Sequence, residues 1–357
     1  MKILYVLNSL TIGGAERMIV ELSKEMSKLA EVYILSLNST NNNWGKSEFT
    51  NYNVKLIEWN CTFYNLLNSF KLLSLIKKER FDIVHTHLTY AQLYTAIVSC
   101  MYKQPVYITT EHSSNNNRRS KPYFRYLDQW LYSRYYRILS ISKTAQIQLL
   151  EWLRIKNNEK YFVFPNAVDI QKFAVSDSVD RLSLNLSKDD IILMMVGRLA
   201  DAKDPTTIMH ALHGLPDKYK FVIVGDGPYR NKFEMDAAKI GVAERVIFVG
   251  AQTNVPTWLK MADIYIQSSH WEGMPTAVLE AMAANIITIA SDVPGNNDLL
   301  PRKMLFEHQN AEELKELILK EKSGWRFEQH QIVCNYDLSS ITQKLYNVYT
   351  QLLNSSK

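Results

Sequence analysis

Cysteine, glycine and long apolar runs are all scarce in this chain. Its three cysteines, Cys61, Cys100 and Cys334, are far apart and odd in number. That excludes a disulfide framework and a C-x-x-C zinc module, and it suits a reducing compartment. Only 12 glycines occur, so glycines that cluster carry information. No apolar run approaches the roughly 18 residues that a membrane-spanning helix needs. No Asp-x-Asp is present, so a diphosphate clamped by a carboxylate-held metal has no support. Cationic side chains and a helix start would have to replace the metal. Hydrophobic residues make up 46% and charged residues 22%, which excludes disorder, collagen and coiled-coil rods.

What is present is 357 residues, about twice the usual domain size, which implies two domains. Short apolar runs expected as strands fall at 3–7, 32–37, 54–57, 83–85, 106–110, 138–141 and 161–164. A second series falls at 191–196, 221–224, 246–249, 264–267 and 286–290. Amphipathic stretches such as 15–29, 205–212 and 276–284 lie between them. Strands alternating with helices imply parallel sheets covered on both faces. The reading is an α/β protein with two Rossmann-like, doubly wound domains. Phe164-Pro165-Asn166-Ala167-Val168-Asp169 marks the boundary, giving domains 1–165 and 166–338, with a last helix at about 339–353 after the second series ends. Met1 to Leu7 has the look of a short signal peptide, but Asn8 and Ser9 interrupt it and no small-residue cleavage site follows, so it reads as a buried first strand.

The net charge of +5 is unevenly spread. Residues 1–165 hold 21 Lys and Arg against 12 Asp and Glu, and residues 166–357 hold 20 against 24. A basic half suggests an anionic surface: lipid, a phosphorylated acceptor or nucleic acid. Residues 102–160 carry eleven basic against four acidic side chains. They are interleaved with Tyr123, Phe124, Tyr126, Trp130, Tyr132, Tyr135 and Tyr136, a mixture suited to an anionic membrane interface. RNA stacking or a solvated helix over buried tyrosines would use the same residues. The membrane reading is preferred, without nucleic acid: a cytoplasmic protein, peripheral on the inner face of the cell membrane.

Ligands in open α/β sheets sit beyond the carboxyl ends of strands. Gly13-Gly14 follows the first strand and opens a helix, where backbone amides favour an anion. It is not a G-x-G-x-x-G motif, and a plain tight turn is the bland alternative. His85 and His87 are possible metal ligands, but no further Cys or His completes a site, so at least one reads as a buried, hydrogen-bonded histidine. His112 opens into a polar loop with Ser113, Arg118 and Arg119, a candidate acceptor side. Arg198 and Lys203 follow the first strand of the second series and are suited to a diphosphate, Arg by its fork and Lys as a point charge. Gly225 and Gly227 form a tight loop after the next strand. Glu272-Gly273-Met274-Pro275-Thr276 leads into a helix that carries Glu280. Eight residues span about 12 Å along a helix axis, so two carboxylates can grip different parts of an extended ligand. The amides of Gly273, Met274 and Thr276 face an anion between them, and Pro275 suits the first helical turn.

The stretch from Glu272 to Ala283 resembles the E-x7-E signature of retaining, family-four nucleotide-sugar glycosyltransferases. The likeness extends to Gly13-Gly14, Asp82 to His87, Gly197-Arg198 with Lys203, Gly225 to Pro228 and Val293-Pro294-Gly295. It implies the two-Rossmann-domain GT-B fold with its active site in the cleft and the last helix crossing back to the first domain. It assigns Arg198 and Lys203 to the donor diphosphate, Glu272 to hydroxyls of the transferred sugar and Glu280 to the nucleotide ribose. It also implies that Gly14, with Gly13 beside it among the donor-binding residues, closes the donor site and that His112 lines the acceptor side. No cofactor is expected and no metal; the donor would be a nucleotide-diphosphate sugar, with uridine favoured, and the acceptor a polyprenyl-diphosphate-linked or other saccharide. Ala284-Asn285-Ile286-Ile287 and Asn297-Asp298 depart from the family pattern. Competing readings are a nucleotide-sugar epimerase of the same fold, a phosphorylase, a glycosidase with two carboxylates, and a non-catalytic sugar or nucleotide binder.

Overall fold

Alternation decides which face each strand residue covers, because successive side chains of a strand point to opposite sides. In the first strand, Leu4 and Val6 join one core cluster and Ile3, Tyr5 and Leu7 another. A strand that is apolar on both faces must be covered on both, as parallel sheets are. The computed structural model describes residues 1–10, 13–38, 47–62, 65–112, 117–320 and 322–355. They form two units, Met1–Ala167 with Leu338–Lys357, and Val168–Asp337.

Unit 1 holds β1 (Lys2–Leu7), β2 (Glu31–Ser36), β3 (Val54–Glu58), β4 (Ile83–His87), β5 (Val106–Glu111), β6 (Arg137–Ser140) and β7 (Tyr161–Val163) in one parallel sheet of order β3-β2-β1-β4-β5-β6-β7. Leu72 and Ile76 of α2 (Asn68–Glu79) and Tyr94 of α3 (Thr89–Met101) cover one face. Ile19 and Val20 of α1 (Gly14–Met26) cover the other. The side chain of Asn8 accepts the N–H groups of Tyr90 and Ala91 at 3.1 and 3.0 Å, which ties the end of β1 to the start of α3. Two further helices, α4 (Phe124–Ser133) and α5 (Lys143–Leu153), lie later in the 1–167 portion.

Unit 2 opens with the short α6 (Ile170–Ala174) and holds β8 (Ile191–Val196), β9 (Tyr219–Val224), β10 (Val246–Gly250), β11 (Ile264–Gln267), β12 (Ile287–Ser291) and β13 (Leu305–Phe306), in the order β10-β9-β8-β11-β12-β13. Its helices include α7 (Pro205–His213), α8 (Arg230–Ile240), α9 (Val255–Met261), α10 (Thr276–Ala283), α11 (Ala311–Leu319) and α12 (Trp325–Cys334). The strand β13 was absent from the sequence reading. It is two residues long, too short to show a period, and exists because Ala290 and Ser291 of β12 pair with Leu305 and Phe306. The last helix, α13 (Leu338–Ser355), belongs to unit 1, where Leu345, Tyr349 and Leu352 enter the same cluster as β1.

Candidate functional site

In unit 2 the loops after β8 and β11 lie side by side. The backbones of Lys203 and Ser269 form an antiparallel bridge. The N–H of Asp204 donates to Ser268 O at 3.1 Å and that of His270 to Ala202 O at 2.8 Å. This lacing brings Lys203 to Glu272 although 69 residues separate them: Lys203 Nζ lies 2.5 Å from Glu272 Oε1. The same oxygen accepts from Gln267 Nε2 and Ser269 Oγ, each at 2.6 Å. Both charged side chains are mostly covered, so the pair is screened less than a surface pair. Arg198 is exposed beside Gly197 and Leu199.

Gln267 is fully buried at the end of β11 and accepts a hydrogen bond from the Tyr265 hydroxyl. The proton affinity of that hydroxyl is pushed well above the ordinary tyrosine range by burial, and then by the charges of Glu280 and Glu272. The two signature carboxylates therefore act on one buried group. Gln267 was missed in the sequence because a glutamine closing an apolar strand carries no mark of its role.

Two glycine contacts shape these loops. A Cβ on Gly225 would stand 1.9 Å from Gly197 O, and one on Gly227 would stand 2.2 Å from Leu199 O. Both glycines thus let the loop after β9 press against the backbone on either side of Arg198. At Gly295 the backbone has φ +90, and a Cβ would come within 2.9 Å of Glu272, so the Val293-Pro294-Gly295 turn presses on that residue. Ser291 Oγ accepts the Ser269 N–H at 3.0 Å, and Asn296 Nδ2 donates to Ser291 O at 2.9 Å. These bonds fix the loop from the β12 side.

Glycine, methionine and proline at 273–275 lead into α10. Pro275 occupies the capping position with extended backbone, and Thr276 is the first helical residue. The expectation that proline opens the first turn is off by one position. Met274 is buried, Gly273 and Thr276 are half-buried, and Glu280 is half-buried on the second turn.

Unit 1 carries the other expected residues. Gly13 precedes α1 and Gly14 is its first residue. The Glu16 carboxylate folds over Gly13, within 2.3 Å of where a Cβ would be, so a side chain from the first turn attends this helix start. At the ends of β4 and β5, His87 Nδ1 lies 2.8 Å from His112 Nε2. His85 is held on both nitrogens, by the Tyr349 hydroxyl at 2.6 Å and by Thr110 Oγ1 at 2.7 Å. Its ring lies against that of His87, with centroids 4.3 Å apart. Both His85 and His87 are buried, and with both of its nitrogens engaged His85 is a structural histidine rather than a metal ligand. Burial pushes His85 down to about 3, His87 well below the ordinary histidine value, and His112 to about 4. His112 keeps some surface exposure, so its shift is the weakest of the three. Ser113 lies outside the described residues, as does the side chain of Arg118. Arg119 pairs with the buried Glu111 at 3.5 Å, and Glu111 also accepts from the Tyr132 hydroxyl. That ion pair commits Arg119 to the fold more than to an acceptor.

The basic and aromatic stretch divides in two. Tyr132 and Tyr135 are buried, whereas Tyr123 and Tyr126 are 63% and 76% exposed. Arg134 and Arg137 crowd Lys160, whose proton affinity is lowered by burial and by those two cations.

Comparison with known proteins places both halves. The family model described as Glycosyltransferase Family 4 matches residues 12–172, and the one described as Glycosyl transferases group 1 matches residues 177–332. The chain is 30% identical over 243 residues to an Escherichia coli UDP-Gal:alpha-D-GlcNAc-diphosphoundecaprenol alpha-1,3-galactosyltransferase, covering 64% of this chain. The match spans 62% of that relative's length, under two thirds. The chain is 25% identical over 312 residues to a Campylobacter jejuni GalNAc-alpha-(1->4)-GalNAc-alpha-(1->3)-diNAcBac-PP-undecaprenol alpha-1,4-N-acetyl-D-galactosaminyltransferase, covering 84% of this chain and 82% of the relative. The fold is similar to that of Anabaena Alr3699/HepE in its crystal structure with UDP and glucose, at a TM-score of 0.86 and 18% identity, covering 98% of this chain and 100% of that one.

Proposed function

The chain belongs to the group 1 and family 4 glycosyltransferases, and we propose that it moves a sugar from a uridine-diphosphate donor to a hydroxyl of a polyprenyl-diphosphate-linked saccharide, with retained anomeric configuration. The observation that carries this reading is the cluster at the carboxyl end of the second sheet. There Lys203, Gln267 and Ser269 converge on one oxygen of Glu272, Arg198 stands exposed nearby in sequence, and α10 opens four residues on. The E. coli and C. jejuni relatives act on undecaprenol-linked glycans, and a neighbour in fold binds UDP with glucose. These support the donor and acceptor classes.

The chemistry follows from the charges. Lys203 and Glu272 hold each other until the donor arrives; its diphosphate then takes Lys203, and the Glu272 carboxylate turns to hydroxyls of the sugar. Gln267 and Ser269 keep that carboxylate aimed throughout. The bond between the anomeric carbon and the diphosphate oxygen breaks, with its electron pair leaving on the phosphate. The acceptor oxygen bonds to the same face of that carbon, and its proton passes to the departing phosphate oxygen. Arg198, Lys203 and the N–H groups of Gly273, Met274 and Thr276 stabilise the charge that grows on the leaving group, and no metal is needed for this step. Within unit 2, Glu280 holds the ribose.

The test is turnover of a panel of nucleotide sugars with a polyprenyl-diphosphate saccharide. One UDP-sugar should be consumed only when the acceptor is present, and NMR should show the product with the donor's anomeric configuration. Removing one preorganised charge-stabilising donor costs on the order of 10²–10³ in rate, so Arg198→Ala should lose about that much. Near-normal rates in both Arg198→Ala and Glu272→Ala would refute the reading, and donor consumption without acceptor would favour an epimerase.

Association with the inner face of the cytoplasmic membrane is part of the same proposal. Its support is the exposure of Tyr123 and Tyr126, together with the mutually crowded cations Arg134, Arg137 and Lys160 of the same basic stretch. The chain should sediment with anionic liposomes at low salt and less at high salt; no sedimentation at either salt would reject it.

A further inference from the structure

Three loops of unit 2 bring together metal-ligating side chains that take no part in the proposed chemistry. Asp204 follows β8, His270 follows β11 and His308 follows β13. One ligand atom from each lies within 4.8 Å of the others, the sole such group of three among the described residues. His270 Nδ1 faces His308 Nε2 at 2.8 Å, with the rings perpendicular and their centroids 5.0 Å apart. Asp204 is buried and the two histidines are half-buried.

We propose that Asp204, His270 and His308 form a binding site for a divalent transition-metal ion of the zinc class. The donor set is two imidazole nitrogens and one carboxylate oxygen, which leaves a fourth tetrahedral position open. Imidazole with carboxylate suits zinc and cobalt, while calcium and magnesium prefer oxygen alone. Zinc–nitrogen bonds of about 2.0–2.1 Å in a tetrahedron put two nitrogens about 3.3 Å apart. The facing nitrogens therefore need to part by only about half an ångström. In the arrangement seen, one ring donates its proton to the other; with the ion, both nitrogens turn a lone pair to it.

Asp204 is already oriented for this role. Its carboxylate accepts the Thr207 hydroxyl at 2.6 Å and the Thr207 N–H at 3.3 Å, the kind of outer contact that fixes a ligating carboxylate. The amino terminus of α7 is the unfavourable end for a cation, and the Asp204 charge offsets it. The backbone bonds from Asp204 to Ser268 and from His270 to Ala202 preset the spacing of two of the three loops.

The position of the site gives it a consequence. Asp204 adjoins Lys203, and His270 lies two residues before Glu272, so an ion here would lock the two loops that carry the paired charges. It would act as a structural clamp and would not touch the departing diphosphate.

Metal binding can be read without any activity, so its failure is separate from failure of the proposed transfer. The full chain, stripped with a chelator, is titrated with Co²⁺ and followed by the visible absorption of four-coordinate cobalt, then with Zn²⁺ in competition. One ion per chain is expected, with at least tenfold weaker binding in His308→Ala and in His270→Ala while circular dichroism is unchanged. His213→Ala and Cys334→Ser, at the exposed His213 and the exposed thiol Cys334, should bind as the parent does. Absence of saturable binding overturns the proposal. So does parental affinity in either His308→Ala or His270→Ala, or loss of binding in a control variant.

Discussion

Gln267 holds a buried tyrosine, a serine and the key carboxylate at once, using the carbonyl oxygen and amide nitrogen of a single side chain. Replacing it by leucine removes three hydrogen bonds and leaves the buried Tyr265 hydroxyl only the long contact to Val196 O at 3.5 Å. Leaving a buried polar group poorly paired costs up to about 1–3 kcal/mol. Gln267→Leu should therefore lower the thermal midpoint by several degrees and raise the KM for donor sugar, measured by calorimetry and by initial rates; an unchanged midpoint would deny Gln267 its role. Glycines separate into kinds at the same scale. Gly225→Ala must push a carbon into Gly197 O, whereas at Gly241 a Cβ meets nothing within 4 Å and only the positive φ of +82 resists. Gly225→Ala should prevent folding of unit 2, while Gly241→Ala should cost only about 1 kcal/mol. That Lys203 and Glu272 share one crevice was legible in the sequence because strand ends mark both. Gln267, Asn296 and His308 were not, because their partners come from other loops and no local pattern announces them.

The elements themselves were read well where a period could be seen. Twelve apolar runs correspond to β1 through β12, and only the two-residue β13 escaped. A parallel strand flanked on both sides needs little else than an apolar run, so β1 and β8 were plain. β4 is the exception, since Ile83–His87 buries two histidines and a threonine. Its interest is energetic. The folded chain holds His85 near 3, below the unfolded value of about 6.5, so the unfolded chain binds the proton first. Stability is full above about pH 6.5 and is lost as pH falls towards 3. At pH 5.5 the loss from His85 is on the order of 1 kcal/mol, and His87 adds in the same direction. Urea midpoints should fall between pH 7.5 and 5.5, and His85→Gln should flatten the slope. Equal midpoints at the two pH values would mean that neither ring is held neutral.

For the whole molecule, the chain crosses between units twice. Val168 and Asp337 pair as a parallel bridge, with the Val168 N–H donating to Tyr336 O at 2.9 Å, so unit 2 begins and ends at adjacent points. Ala167 and Leu338, the residues just outside, pack in one small cluster with Ile341. Unit 2 is thus an insertion in unit 1. Residues 168–337 expressed alone should fold cooperatively. Residues 1–167 alone should not, since they lack Leu345, Tyr349 and Leu352 and the hydroxyl that holds His85. Proteolysis and calorimetry of the two fragments would check this, and a cooperative transition in the 1–167 fragment would contradict it. The sequence marked the change of domain at Pro165 and the late helix; it could not show that the two crossings meet, since that is a contact between residues 169 apart.

The paired ends of unit 2 also set an order of events during synthesis. The ribosome releases α13 after all of unit 2 has emerged, so the first sheet waits for its final cover while about 170 residues are made. Closing an unstructured loop of that length carries an entropy cost on the order of 4–5 kcal/mol. Once unit 2 has folded, its two ends are neighbours and most of that cost has been met, which leaves the late helix a short search for its seat.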